Sequence, residues 1–215
     1  MEPRNRTRLL IADDHNLVAE ACKSLLEPEF QVVAIVNDGR ALLRVAAELK
    51  PAVLIIDIGM PLLNGLDAGE QIKKIMPSAK LLYMTMNMNP EVAAEAFRRG
   101  ASGYLPKSAA AAELITAVRD VLKGKSYLSP LITKDTVTFL LKSGKEYVEE
   151  KHITQRQREV LQLLAEGWAM KEIAYTLNVK PGTVAFHKYR IMEALGAKTN
   201  ADLLKYAITH NMVPK

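Results

Sequence analysis

Five polar side chains in the first half of the chain stand where short apolar runs end. Asp13 and Asp14 close Leu9-Leu10-Ile11-Ala12, Asp57 closes Val53-Leu54-Ile55-Ile56, and Thr85 closes Leu81-Leu82-Tyr83-Met84. Lys107 follows Gly103-Tyr104-Leu105-Pro106. If these runs are parallel strands, the five groups meet at one edge of one sheet, where open α/β folds place their ligand sites. Three carboxylates share a small pocket only when a cation offsets them. The set therefore calls for Mg2+ and a phosphoryl group.

The elements that must position these groups are legible in the pattern. Short apolar runs near 8–12, 31–36, 53–57, 80–85 and 102–105 read as strands. Helical periodicity lies between them, near 15–27, 38–49, 64–75, 90–99 and 108–123. Such alternation predicts an α/β domain, a doubly wound five-stranded parallel sheet with helices on both faces. Asn64-Gly65, Asn89-Pro90 and Gly100 punctuate the helix ends. Ser126-Tyr127-Leu128-Ser129-Pro130 breaks the pattern, and the amphipathic stretch 131–141 reads as a linker helix. The charged run from Ser143 to His152 reads as an exposed joint between domains.

The remainder is helical throughout. Thr154 with Gln157 forms a capping box opening a helix that carries Val160, Leu161, Leu163 and Leu164. Gly167 ends it. A short helix over 171–177, a turn at Asn178-Val179-Lys180-Pro181-Gly182 and a helix over 183–195 suggest a second, smaller all-α helix-turn-helix domain. A last helix covers 200–208. The expected boundaries are 1–125, a linker over 126–152, and 153–215.

Composition bounds the function. The chain has 215 residues and a formal charge of +5. Residues 153–215 hold nine Lys and Arg against five Asp and Glu, whereas the first 152 hold 20 against 19. A basic C-terminal third suits an anionic polymer. No apolar run approaches the roughly 20 residues of a membrane span, and the polar N-terminus does not read as a signal peptide. Cys22, the single cysteine, excludes an internal disulfide and fits a reducing cytoplasm, as a small buried hydrophobe.

Asp13-Asp14, Asp57-Ile58-Gly59-Met60-Pro61, Thr85 and Tyr104-Leu105-Pro106-Lys107 resemble the receiver domain of bacterial response regulators. Gln155-Arg156-Gln157-Arg158-Glu159-Val160-Leu161, Lys171-Glu172-Ile173-Ala174 and Thr183-Val184-Ala185-Phe186-His187 resemble the LuxR-type helix-turn-helix. Order and length match the NarL/FixJ class. The resemblance implies a cytoplasmic transcriptional regulator, not an enzyme, phosphorylated on Asp57 by a sensor histidine kinase. It implies Mg2+ held by Asp14, Asp57 and the Gly59 carbonyl, with Asp13 acting through water. Lys107 would offset oxygen charge, Thr85 would bind the phosphoryl group, and Tyr104 would be the aromatic that turns inward in the active state. Double-stranded DNA and a homodimer in the active form are the implied partners. Thr183, Phe186, His187, Lys188, Arg190 and Lys171 are the candidate DNA contacts.

The chain departs from that pattern in places. Gly59 leaves no side chain to gate water two residues after Asp57. Met86 is bulky beside the phosphoryl site, and Met84, Met86 and Met88 alternate as core filler would. Lys180 lacks the acceptor oxygen of a helix cap. Ala185 and Phe186 replace polar readers; Phe186 could touch a thymine methyl or be buried. Trp168 reads as a packing residue. Two rival functions remain open. An aspartyl-phosphate phosphatase of the haloacid dehalogenase type needs an acid where Gly59 stands. The other rival is a regulator or scaffold that works without phosphorylation.

Overall fold

The computed structural model describes residues 6–86, 88–109, 111–143 and 153–213. The chain runs β1 (Arg8–Ala12), α1 (Asn16–Leu26), β2 (Gln31–Val36), α2 (Gly39–Leu49), β3 (Val53–Asp57), α3 (Gly65–Ile75), β4 (Lys80–Thr85), α4 (Pro90–Arg98), β5 (Gly103–Pro106), α5 (Ala111–Leu122) and β6 (Tyr127–Leu128). All strands pair in parallel in the order β2-β1-β3-β4-β5-β6. The period-2 alternation of the strands divides the core. Leu10, Leu54, Ile56, Leu81, Tyr83 and Tyr104 pack under α2, α3 and α4. Leu9, Ile11, Val53, Ile55, Leu82, Met84 and Leu105 pack under α1 and α5. A strand buried on both faces has to be apolar at nearly every position, which is why Val53–Ile56 carries no polar side chain.

The sheet has six strands where the sequence predicts five. Tyr127–Leu128, read as a break, pairs with β5 through Gly103 and Tyr104. Two residues cannot show a period, so the sequence carries no strand pattern there. The linker helix α6 (Pro130–Ser143) packs against α4, with Ile132 in the core beside Tyr104. Most of the joint predicted over 143–152 lies outside the described residues.

The C-terminal unit holds α7 (Gln155–Ala165), α8 (Met170–Thr176), α9 (Pro181–Leu195) and α10 (Asn200–Thr209). The Thr154 box is formed: Gln157 N–H donates to Thr154 Oγ1 and Thr154 N–H to Gln157 Oε1. Lys180 caps α9 without a side-chain hydrogen bond, as its chemistry requires, and Gly196 closes the helix at φ 68°. Val160, Leu161, Leu163, Ile173, Val184, Ile191 and Leu203 form the core, and Trp168 packs against it.

Candidate phosphoacceptor pocket and DNA-binding surface

The predicted pocket assembles at the C-terminal edge of the sheet. Lys107 Nζ stands 2.8 Å from Asp13 and 2.8 Å from Asp57 Oδ2. The Asp57 and Lys107 side chains are only 6% and 4% exposed. Burial raises the Asp57 carboxyl above its ordinary range; Lys107 opposes that rise, and Asp13 and Asp14 add to it. Burial also disfavours the Lys107 cation, but hydrogen bonds and charge from Asp13 and Asp57 outweigh it and hold the ammonium charged.

Asp14 Oδ1 is buried without a hydrogen bond, although His15 Nδ1 lies 2.7 Å from it. Asp13, Asp14, His15 and Asp57 each offer a ligand atom, and these atoms lie within 4.8 Å of one another. Three carboxylates drawn this close together fit a hard divalent cation that takes oxygen ligands. His15, absent from the residues the sequence singles out, belongs to this cluster, and its place directly after two acids is the available signal. Thr85 is buried at the end of β4, where its carbonyl accepts from Lys107 N–H at 2.8 Å. Tyr104 is fully buried, and Ser129 N–H donates to its carbonyl. The aromatic expected to turn inward already lies inward here. Gly59 is half-buried in the loop after Asp57.

Methionine placement corrects one expectation. Met84 is core, 3.9 Å from Cys22 Sγ, and burial pushes that thiol up to about 11. Met86 and Met88 are exposed, so core filler does not describe them. β4 ends at Thr85, and beyond it the alternation no longer maps onto two covered faces.

On the C-terminal unit, Val184 and Ile191 fix the inward face of α9. Phe186 and Tyr189 stand outward, 60% and 66% exposed, so Phe186 is not buried against the scaffold. Tyr189 joins the candidate surface without having been singled out by the motif, although its phase opposite Val184 and Ile191 points outward. Lys171 and Arg190 are exposed, and Arg190 pairs with Glu193 at 2.7 Å. Thr183, His187 and Lys188 are half-buried, Lys188 in register with Val184 and Ile191. His187 meets Phe186 edge to face.

The two units also touch. One polar face of α7, made of Gln155, Arg158, Glu159, Gln162 and Glu166, lies on α2, α3 and the β3–α3 loop. Arg158 Nε donates to Asp67 Oδ1 at 2.7 Å, and Arg40 and Gln71 donate to Glu159. Lys74 donates to Gln155. Leu62, from the receiver side, packs against the C-terminal core. Among the described residues, nothing covers Phe186 and Tyr189 on the outward face of α9.

Comparison with known proteins agrees with this architecture. Residues 9–119 match the response regulator receiver domain, and residues 151–207 match the bacterial regulatory proteins of the luxR family. The chain is 34% identical over 214 residues to the oxygen regulatory protein NreC of Staphylococcus aureus, covering 96% of this chain and 99% of that one. It is 30% identical over 217 residues to the transcriptional regulatory protein MctR of Rhizobium johnstonii, covering 100% and 99%. Among solved structures it resembles RcsB of Salmonella enterica serovar Typhimurium bound to a promoter with a phosphomimetic. That match has a TM-score of 0.60 and 28% identity, and covers 97% of this chain and 98% of that one. These matches exclude the phosphatase reading, since the family comprises transcription factors rather than enzymes. The chain belongs to the NarL/FixJ family of two-component response regulators, a receiver domain joined to a LuxR-type DNA-binding domain that regulates transcription.

Proposed function

We propose that a sensor histidine kinase phosphorylates Asp57 in a Mg2+-dependent reaction in the cytoplasm, and that the modified chain binds double-stranded DNA as a homodimer. The observation that carries this reading is the buried Lys107 bridge between Asp13 and Asp57, beside the Asp14 carboxylate. An Asp57 oxygen would attack phosphorus and form an acyl phosphate while the donor's nitrogen leaves with the bond electrons. Lys107 balances charge on the transferring oxygens, and the Thr85 hydroxyl hydrogen-bonds the bound group. Asp14, Asp57 and the Gly59 carbonyl would hold Mg2+, with Asp13 acting through water; the ion neutralises oxygen charge in such transfers. Tyr104 and Thr85 form the switch beside β5. Residues 1–125 act as receiver, 126–152 as linker and 153–215 as the DNA-binding domain. On that domain Lys171, Thr183, Phe186, His187, Lys188 and Arg190 face the duplex.

The test is direct. Incubation with acetyl phosphate and Mg2+ should add one phosphoryl mass to the wild-type chain and none to Asp57→Asn. Excess chelator should abolish uptake. Equal uptake by Asp57→Asn would refute the assignment, and labelling in chelator would refute the metal requirement.

A further inference from the structure

Parallel strands require each connecting helix to run back against them, so the last turns of α3 and α4 lie at the edge of the sheet opposite Asp57. There a cleft of about 820 Å3 opens between α3, α4 and the docked α7. Five cationic side chains line it: Lys73 and Lys74 from α3, Arg98 and Arg99 from the end of α4, and Arg158 from α7. Among the described residues, the lining carboxylates are Glu70 and Glu95, with Asp67 paired to Arg99 and Arg158. Five cations against three carboxylates leave the cleft positive.

Lys73 is the group that the fold leaves unbalanced. Its Nζ donates to Ala79 O at 2.6 Å and to Pro77 O at 3.3 Å, just beyond the end of α3. Carbonyls hold the ammonium hydrogens without cancelling the charge. Among the described residues it pairs with no carboxylate, and burial, with the Lys80 charge beside it, pushes its amine below the ordinary lysine range. Its stem runs along Gly100, where an added Cβ would meet it at 3.4 Å, so the cation stands between the two helix ends. The arginines keep donors to spare. A guanidinium offers five N–H groups. Arg158 gives Nε to Asp67, Nη1 to Ile153 O and Nη2 to Glu70. Arg99 gives Nε to Glu95 and Nη1 to Asp67. Among the described residues no aromatic ring lines the cleft. Such a lining suits phosphoryl oxygens and offers no platform for a base.

We propose that this cleft binds a small polyphosphate anion through Lys73, Lys74, Arg98 and Arg158. The anion supplies Lys73 with the counter-charge that the fold withholds. A cleft of this size has room for a chain of phosphoryl groups, since pockets of about 300–1,000 Å3 hold whole small molecules. The same chemistry stands on free tripolyphosphate and on the tail of a nucleoside triphosphate. With no ring to stack the base, the two should bind alike. The site uses neither the Asp57 pocket nor any residue of α9, so it is an input separate from both.

Isothermal titration calorimetry of the full chain with tripolyphosphate, at low salt and without Mg2+, tests this. The wild type should bind one anion per chain. Lys73→Gln and Arg98→Gln should each weaken binding about tenfold or more, as loss of a charged hydrogen bond does. Glu70→Gln, which removes a competing carboxylate, should tighten it. Circular dichroism checks the folding of each variant, and Arg98→Gln, on an exposed side chain, carries the test if Lys73→Gln unfolds. Adenosine triphosphate should match tripolyphosphate; markedly tighter binding of the nucleotide overturns recognition by phosphoryl groups alone. No heat of binding, or an affinity that Lys73→Gln and Arg98→Gln leave unchanged, refutes the site. Equal weakening by Lys188→Gln also refutes it, because the anion would then sit on the recognition helix.

Discussion

Asp67 is a buried carboxylate shared by two arginines, and this sharing makes the cost of removing each partner unequal. Its Oδ1 accepts from Arg99 Nη1 at 2.7 Å within the receiver and from Arg158 Nε at 2.7 Å across the interface. The Asp67 side chain is 4% exposed and that of Arg158 21%. A hydrogen bond to a charged group is worth about 1.5–3 kcal/mol. Arg158→Ala leaves Asp67 paired with Arg99, so no orphan charge remains and the loss should be about 1.5 kcal/mol. Asp67→Ala removes the acceptor that two guanidinium groups share, leaving Arg99 with Glu95 and Glu70 and Arg158 with Glu70 at 3.3 Å. Breaking a buried pair by deleting one partner costs about 3–5 kcal/mol, and Glu95 and Glu70 beside Arg99 hold it toward the lower end. A double-mutant cycle should return about 1–2 kcal/mol for the Asp67–Arg158 pair. Urea unfolding followed by Trp168 emission and by circular dichroism separates the two units. At an m of about 1–3 kcal/mol/M, Arg158→Ala should shift the tryptophan transition by about 0.5–1.5 M and leave the receiver transition in place. A coupling below about 0.5 kcal/mol would show that the pair does not meet in solution.

Three further outcomes follow from the pocket, its loop and the recognition helix. Burial raises the Asp57 carboxyl, so its share of stability is present at low pH and lost as pH rises through the folded value. Asp57→Asn should therefore raise Tm at neutral pH, with the gain fading as the solution is acidified toward the ordinary carboxyl range; a lower Tm at neutral pH refutes this. A Cβ on Gly65 would fall 2.0 Å from the Asp57 carbonyl oxygen, so Gly65→Ala should cost upwards of about 1–3 kcal/mol and slow phosphoryl uptake. Near-wild-type unfolding would count against so close an approach of loop and strand. With Phe186 and Tyr189 outward on α9, thymine methyls are the apolar feature available in the major groove. Replacing one contacted thymine by uracil in a selected duplex should weaken binding about fourfold, from about 0.8 kcal/mol per methyl, and Phe186→Ala should erase that difference. Equal affinities for thymine and uracil duplexes by fluorescence anisotropy would rule out methyl reading.

Much of the receiver is legible in the sequence because its physics is local. Doubly buried strands must be apolar, so Val53–Ile56 and Leu81–Met84 announce themselves, and their polar ends follow. Caps at Asn64, Asn89 and Thr154 fix helix starts to within a residue. The dock is illegible for the opposite reason. Gln155, Arg158, Glu159, Gln162 and Glu166 form a polar helix face, and such a face has the same spacing whether it meets water or another domain. Asp67 and Gln162 look like ordinary surface residues until their partners arrive from about ninety to one hundred positions away. Met86 misleads for a different reason: alternation continues in the sequence after the strand has ended.

The short strand β6 bears on how two copies could meet. Tyr127 and Leu128 occupy the free edge of β5, and α6 lies over α4. An open strand edge is a template for another chain, and here the linker fills that place itself. A second receiver approaching on that side meets the outer edge of the two-residue β6 and not β5 itself. Self-occupation of the edge makes the linker a strand of the sheet, and any segment that pairs with β5 has to displace it first.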